Sequence, residues 1–189
     1  MGYKNYRILS FFLSPPLIAL YVTIIFSMFS PIGLGYIDVF SSIIIGIIFL
    51  VLIPLTSVYY FSKKDFDVRN KDERTRLYLI SITSYLISST IFWFLNSHVM
   101  FVISMAYVFV TSACSIINIF WKISAHSAGT AGPVTALVYV FGLSLIPLYI
   151  LIFLVFWARL KIKIHNVLQL SMGAVIAIFI TLSVYTVLW

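Results

Sequence analysis

Ala128 to Ala158, AGTAGPVTALVYVFGLSLIPLYILIFLVFWA, is the stretch on which the reading of the fold turns. As one long helix, it crosses a bilayer once and leaves His126 and His165, just beyond its two ends, on opposite membrane faces. As a hairpin turning at Gly142-Leu143-Ser144, it gives two helices of about 15 residues. Each would be about 23 Å long at 1.5 Å per residue, short for a full crossing. Charge separates the two readings. In the hairpin version the chain crosses seven times, and Lys4, Arg7, the basic residues of 62–76, Lys122, Arg159, Lys161 and Lys163 all fall on one side. The opposite turns contain no Lys or Arg. In the one-helix version the last three basic residues land on the wrong face. The preference of Lys and Arg for the cytoplasmic side selects the hairpin and predicts that the basic face is cytoplasmic.

Composition agrees with this membrane reading. The chain has 189 residues, 62% hydrophobic and 9% charged, with a mean hydropathy of +1.13. No soluble domain buries that much apolar surface, so the expected fold class is all-α, a polytopic transmembrane helical bundle of about six to seven membrane helices. One integral-membrane domain is predicted over 1–189. Its spans run from Ser14-Pro15-Pro16 to Phe29, Ile37 to Phe61, Leu77 to Phe94, Met100 to Trp121, through the hairpin, and from Val167 to Trp189. The two prolines either start the first membrane helix or kink it. Lys4 and Arg7 precede no small-residue cleavage site, which predicts a retained N-terminus. The net charge of +7 flanks the spans, so topology and anionic headgroups explain it and nucleic acid is not an expected partner. Cys114, the only cysteine, is read as a packing residue.

The one long polar stretch, Ser62 to Arg76, contains six of the twelve Lys and Arg residues. Most of these charges read as a solvated loop anchoring helix ends. Asp72 and Glu73 are adjacent and do not share a helix face. With no Asp/Glu/His cluster elsewhere, a two-metal site is not expected, and no cofactor is predicted. His98, with no charged companion within a turn, reads as interfacial.

The hairpin is bracketed by Lys122-Ile123-Ser124-Ala125-His126 and by Arg159-Leu-Lys-Ile-Lys-Ile-His165-Asn-Val-Leu-Gln169. Ionisable residues at the edges of hydrophobic segments are costly and are site candidates by default. The spacing resembles the type 2 phosphatidic acid phosphatases, which carry Ser-Gly-His and then Arg-x5-His-x3-Asp. Ser124-Ala125-His126 is similar to the first motif, with Ala for Gly. Arg159-x5-His165-x3-Gln169 is similar to the second, apart from its last residue. Asp67-x6-Arg74-Thr75 is a partial counterpart of the family's Lys-x6-Arg-Pro. The resemblance covers residues 67 to 169, in order, with about half the motif positions retained.

The resemblance implies a metal-independent membrane lipid phosphatase with a phosphohistidine intermediate. His165 would be the nucleophile and His126 the acid that protonates the departing lipid oxygen. Arg74 and Arg159 would hold the phosphate oxygens, and Ser124 would add a donor. Gln169 stands where the family has a carboxylate. One turn after His165, its amide oxygen would accept the ring N–H and support an imidazolium less, leaving His165 less basic. Asp67 stands where the family has Lys and is expected to pair with Arg69, Lys71 or Arg74. Lys122 fits equally a replacement cation for the phosphate and a snorkelling helix-end anchor. The expected substrate is an isoprenoid or diacyl lipid bearing a phosphate or diphosphate. The other reading of the same residues is a catalytically weak relative that binds phosphorylated lipids or serves as a membrane scaffold.

Overall fold

The computed structural model describes residues 3–61 and 71–189, and every regular element among them is helical. The order is α1 (Tyr3–Phe12), α2 (Pro15–Phe29), α3 (Val39–Gly46), α4 (Ile53–Phe61), α5 (Lys71–Phe94), α6 (His98–Phe120), α7 (Ala125–Phe141), α8 (Ile150–Lys161) and α9 (Val167–Leu188). Six segments are long and apolar enough to cross a membrane, as expected of a multi-pass all-α bundle. The expectation that Asp67 pairs with a neighbouring cation lies outside the described residues.

Local chemistry explains the breaks. Ser14 precedes α2 in an extended conformation, and Pro15 and Pro16 occupy its first turn, where their missing N–H groups cost nothing. The prolines start a helix. A further helix, α1, lies before them and packs against α8, with Tyr6 edge-on to Trp157 at 5.4 Å. Between α3 and α4 a π-helical stretch, Ile47–Leu52, precedes Pro54 and widens the helix where the proline ring would otherwise meet a carbonyl. The α5–α6 turn uses Asn96 at φ 54°, a residue that tolerates the left-handed region.

The hairpin forms, and it turns at Gly142. That residue ends α7 at φ 95°, a conformation open to glycine. The two arms differ in a way the sequence reading did not anticipate. Leu143–Tyr149 is a 3-10 segment around Pro147 and continues into α8. At about 2.0 Å per residue in the 3-10 part and 1.5 Å in the helix, that arm reaches about 32 Å, enough for the bilayer. The other arm, α7, has 17 residues and reaches only about 25 Å. It is rich in Ala, Gly, Ser and Thr and buried from Ser127 to Leu137 except at Gly129. Packed among α2, α6, α8 and α9, this short helix has protein around it and need not match the lipid. At Gly173 of α9 the start of α7 comes close: a Cβ there would lie 2.7 Å from the carbonyl oxygen of Ser124, which precedes α7. Only a glycine permits that approach.

Candidate active site

Where α8 ends, the chain reverses in a Schellman motif. Lys163 takes φ 56°, its N–H donates to the Leu160 carbonyl at 3.1 Å, and the Ile164 N–H reaches the Arg159 carbonyl at 3.4 Å. This reversal gives the Arg159-x5-His165 spacing its physical meaning: six residues on, the imidazole comes back beside the guanidinium. Arg159 Nη2 lies 3.4 Å from His165 Nδ1, and Arg159 Nη1 donates to Ser10 Oγ of α1 at 3.1 Å. Arg159 is 2% exposed.

Arg74 approaches from the first turns of α5. Its Nη2 donates to the Ile123 carbonyl at 2.6 Å and to Tyr78 Oη at 3.2 Å, and its guanidinium lies 6.0 Å from the centre of the Tyr78 ring. The arginine is thereby fastened to the residue just before Ser124. Arg74, His126, Arg159 and His165 all line one cavity of about 310 Å³. Among the described residues no lining side chain is a carboxylate. Arg7, exposed on α1, lines the same cavity and makes a third arginine at its mouth.

The other three expected site residues do not line it. Ser124 is fully buried and caps α7, its Oγ accepting the Ser127 N–H at 3.3 Å. Lys122 Nζ donates to the Ile164 carbonyl at 2.9 Å, tying the α6–α7 loop to the turn that carries His165. Gln169 corrects the expectation most clearly. Its Oε1 accepts the Asn166 N–H at 3.2 Å, and Asn166 Oδ1 accepts the Gln169 N–H at 2.9 Å. Together they form a reciprocal capping box at the start of α9. The oxygen expected to serve the His165 ring is engaged at the helix end, because Gln169 sits at the third position of α9, where that box forms.

His165 lies in the turn between α8 and α9, and its pKa is pushed down to about 3. Burial is the main cause, followed by the positive charges of Arg159, Lys122 and Arg74; the main-chain carbonyl of Ile123 alone pulls the other way. The imidazole is therefore neutral at ordinary pH, the form a nucleophile needs. Its Nε2 is buried with no hydrogen-bond partner among the described residues. No group of three or more His, Cys, Asp or Glu side chains able to hold a metal ion occurs among the described residues.

Arg7 and Ser10 were missed by the sequence reading, which took Arg7 only as a topogenic charge. Their i, i+3 spacing places them on one face of a helix, but nothing in the spacing says that α1 folds back onto α8. Compared with known protein families, curated proteins and solved structures, the chain matches none.

Proposed function

We propose that the protein is a metal-independent lipid phosphatase that works through a phosphohistidine at His165. One observation supports this above the rest: Arg74, His126 and the Arg159–His165 pair, from three separate stretches of the sequence, line a single cavity at one end of the bundle. Three arginines and two histidines without a lining carboxylate suit a phosphate, whose oxygens the planar guanidinium groups match in pairs.

In this mechanism a His165 ring nitrogen attacks phosphorus, the P–O bond to the lipid breaks, and His126 delivers a proton to the departing oxygen. Water, deprotonated by His126, then cleaves the P–N bond and releases inorganic phosphate. The tautomer matters. When Nδ1 accepts from Arg159, the ring proton sits on Nε2. Attack through Nε2 requires that proton to move to Nδ1, so Arg159 turns from the ring to the phosphate as substrate arrives. The phosphate charge offsets the field of the arginines, which lets His126 carry its proton.

Phosphate release from a panel of lipid phosphates by the purified chain tests this. Activity is expected to survive EDTA and to be inhibited by vanadate, which imitates five-coordinate phosphorus. Loss on chelation, restored by a divalent ion, overturns the metal-independent mechanism. A second reading, a catalytically weak binder of phosphorylated lipids, is favoured by the capping role of Gln169, which engages the amide oxygen expected to orient His165. Tight lipid-phosphate binding with no phosphate release would select it.

The basic end is proposed to face the cytoplasm, because Lys4, Arg7, Arg74, Lys122, Arg159, Lys161 and Lys163 gather there. Single cysteines at Lys161 and Tyr36, in a Cys114→Ala background, should react with an impermeant reagent from opposite sides. Labelling of the Lys161 site from outside intact cells reverses the orientation.

A further inference from the structure

Helix α1 meets the cavity along one stripe. Arg7, Ser10, Phe11 and Ser14 line it, and their i, i+3, i+4, i+7 spacing is that of a single helix face. The stripe is fixed in place twice. Tyr6 stands edge-on to Trp157 of α8 at 5.4 Å, and Ser10 Oγ accepts from Arg159 Nη1 at 3.1 Å. Arg7 lies one turn before Ser10, about 4.5 Å along the helix axis at 1.5 Å per residue. Its side chain lines the same cavity as the guanidinium that Ser10 holds.

The three arginines of the cavity are not in the same condition. Arg74 is buried and donates to the Ile123 carbonyl and the Tyr78 hydroxyl; Arg159 is buried and donates to Ser10. Each must share or release a bond before it grips an anion. Arg7 is exposed and has no hydrogen-bond or ion-pair partner among the described residues. An incoming anion therefore meets an accessible guanidinium at Arg7, and no internal bond is lost when it binds there. Exposure also limits what Arg7 contributes. A solvated charge attracts a ligand but stabilises a transition state less than a buried, preorganised donor does.

Lys4 supplies the contrast on the same helix. It lies one turn further out, is also exposed, carries the same charge, and is not among the residues that line the cavity. A charge needed only for topology or for adhesion to anionic headgroups would serve equally well at either position.

We infer that Arg7 is a substrate-binding residue that captures the phosphate group at the cavity mouth and passes it to Arg74 and Arg159. Helix α1 is then a part of the binding site and not only a membrane anchor. This rests on the phosphate reading of the cavity, and it separates one arginine that acts in binding from two that act in the chemical step.

Two measurements on the purified full chain test it, both in a neutral detergent that removes any anionic bilayer surface. One is equilibrium binding of inorganic vanadate by calorimetry, and the other is kcat and KM for dioctanoyl phosphatidic acid. Arg7→Gln should weaken vanadate binding and raise KM by about tenfold each, the size of one charge-assisted hydrogen bond, with kcat changed less than about threefold. Lys4→Gln removes the same charge and should change each quantity less than about twofold, because its position lies outside the cavity and is screened by salt. Arg7→Lys should keep most of the affinity, since a point charge suffices for capture; a loss as large as with glutamine overturns capture by charge. Equal effects of Arg7→Gln and Lys4→Gln, or a loss in Arg7→Gln confined to kcat, overturn the assignment. Arg7-dependent vanadate binding with no phosphate release keeps the capture role and removes the phosphatase reading. Phosphate release and vanadate binding that Arg7→Gln leaves unchanged do the reverse, and absence of both binding and release overturns both.

Discussion

The two ends of the bundle handle polar groups in opposite ways. At the far end, residues 30–38 and the α5–α6 turn meet through a Tyr36 N–H to Leu95 carbonyl bond at 2.8 Å, and His98 lies 5.9 Å from the Trp189 ring. The carboxylate there, Asp38, caps α3, accepting from the Ser41 N–H at 3.0 Å and the Ser41 hydroxyl at 2.6 Å. Polar groups at that end close turns and helix starts, and aromatic rings fill the rest. At the basic end some polar groups do the same work: Ser124 caps α7, the Asn166–Gln169 box starts α9, and Lys122 ties two loops. The arginines and histidines differ in lining a shared cavity, although Arg74 and Arg159 are themselves hydrogen-bonded to neighbouring elements. A polar residue near a membrane surface is therefore not a site residue by type. What distinguishes it is whether it lines the shared cavity.

That contrast can be broken most directly at two histidines, one at each end of the bundle. His165→Ala is expected to reduce phosphate release by at least about 10³-fold, since no nucleophile remains. His98→Ala at the far end should change it less than about twofold. Near-normal phosphatase activity in His165→Ala would falsify the phosphohistidine mechanism. Next in size is Arg159. Arg159→Gln should lower kcat/KM by about 10²–10³-fold, the loss typical of removing one preorganised donor to a charged transition state. Arg159→Lys should recover only part, because an ammonium cannot make the paired contacts; full recovery by lysine would show that charge alone matters.

The depressed pKa of His165, about 3, sets a pH signature. The rising limb of kcat/KM that reports loss of the His165 proton should lie well below the ordinary imidazole range. In Arg159→Gln that limb should move to higher pH, because one of the charges opposing the imidazolium is gone. Stability carries the same sign. Between the ordinary imidazole value and about 3 the unfolded chain binds the proton and the folded chain does not, so this group lowers stability as pH falls through that window. An acid limb near the ordinary imidazole value in the unmodified protein would mean that His165 is not the titrating nucleophile. The smallest effect belongs to Gln169. Gln169→Ala should destabilise the fold by about 0.5–2 kcal/mol through loss of half the capping box, with little change in turnover per folded molecule. Unchanged denaturation with a large fall in turnover would return Gln169 to the service of His165.

Much of the architecture could be read in the sequence because membranes impose few choices. Apolar runs of span length, broken by Pro15-Pro16, Asn96 and Gly142, specify helices and their limits, and one-sided basic residues select the hairpin. The candidate site was legible in part for the same reason: Arg74, His126, Arg159 and His165 are ionisable groups at span edges, where each is costly without a function. Arg7 was hidden behind its second meaning as a topogenic charge. Gln169, Ser124 and Lys122 were read as site residues because spacing reports proximity in the chain and not the use of each atom.

By itself, then, the sequence determined a multi-pass helical protein with a hairpin over Ala128–Ala158 and a basic end, because hydropathy and charge act residue by residue. Only the tertiary structure decided which polar atoms remain for a ligand. Whether Gln169 Oε1 faces a ring or closes a helix start depends on where α9 begins relative to the turn after Arg159. Whether Arg7 and Arg159 line one cavity, or Thr181 meets Gly132, depends on packing between elements distant in sequence. Hydrogen bonds are short-ranged and saturable, so their allocation is settled only when every helix is in place.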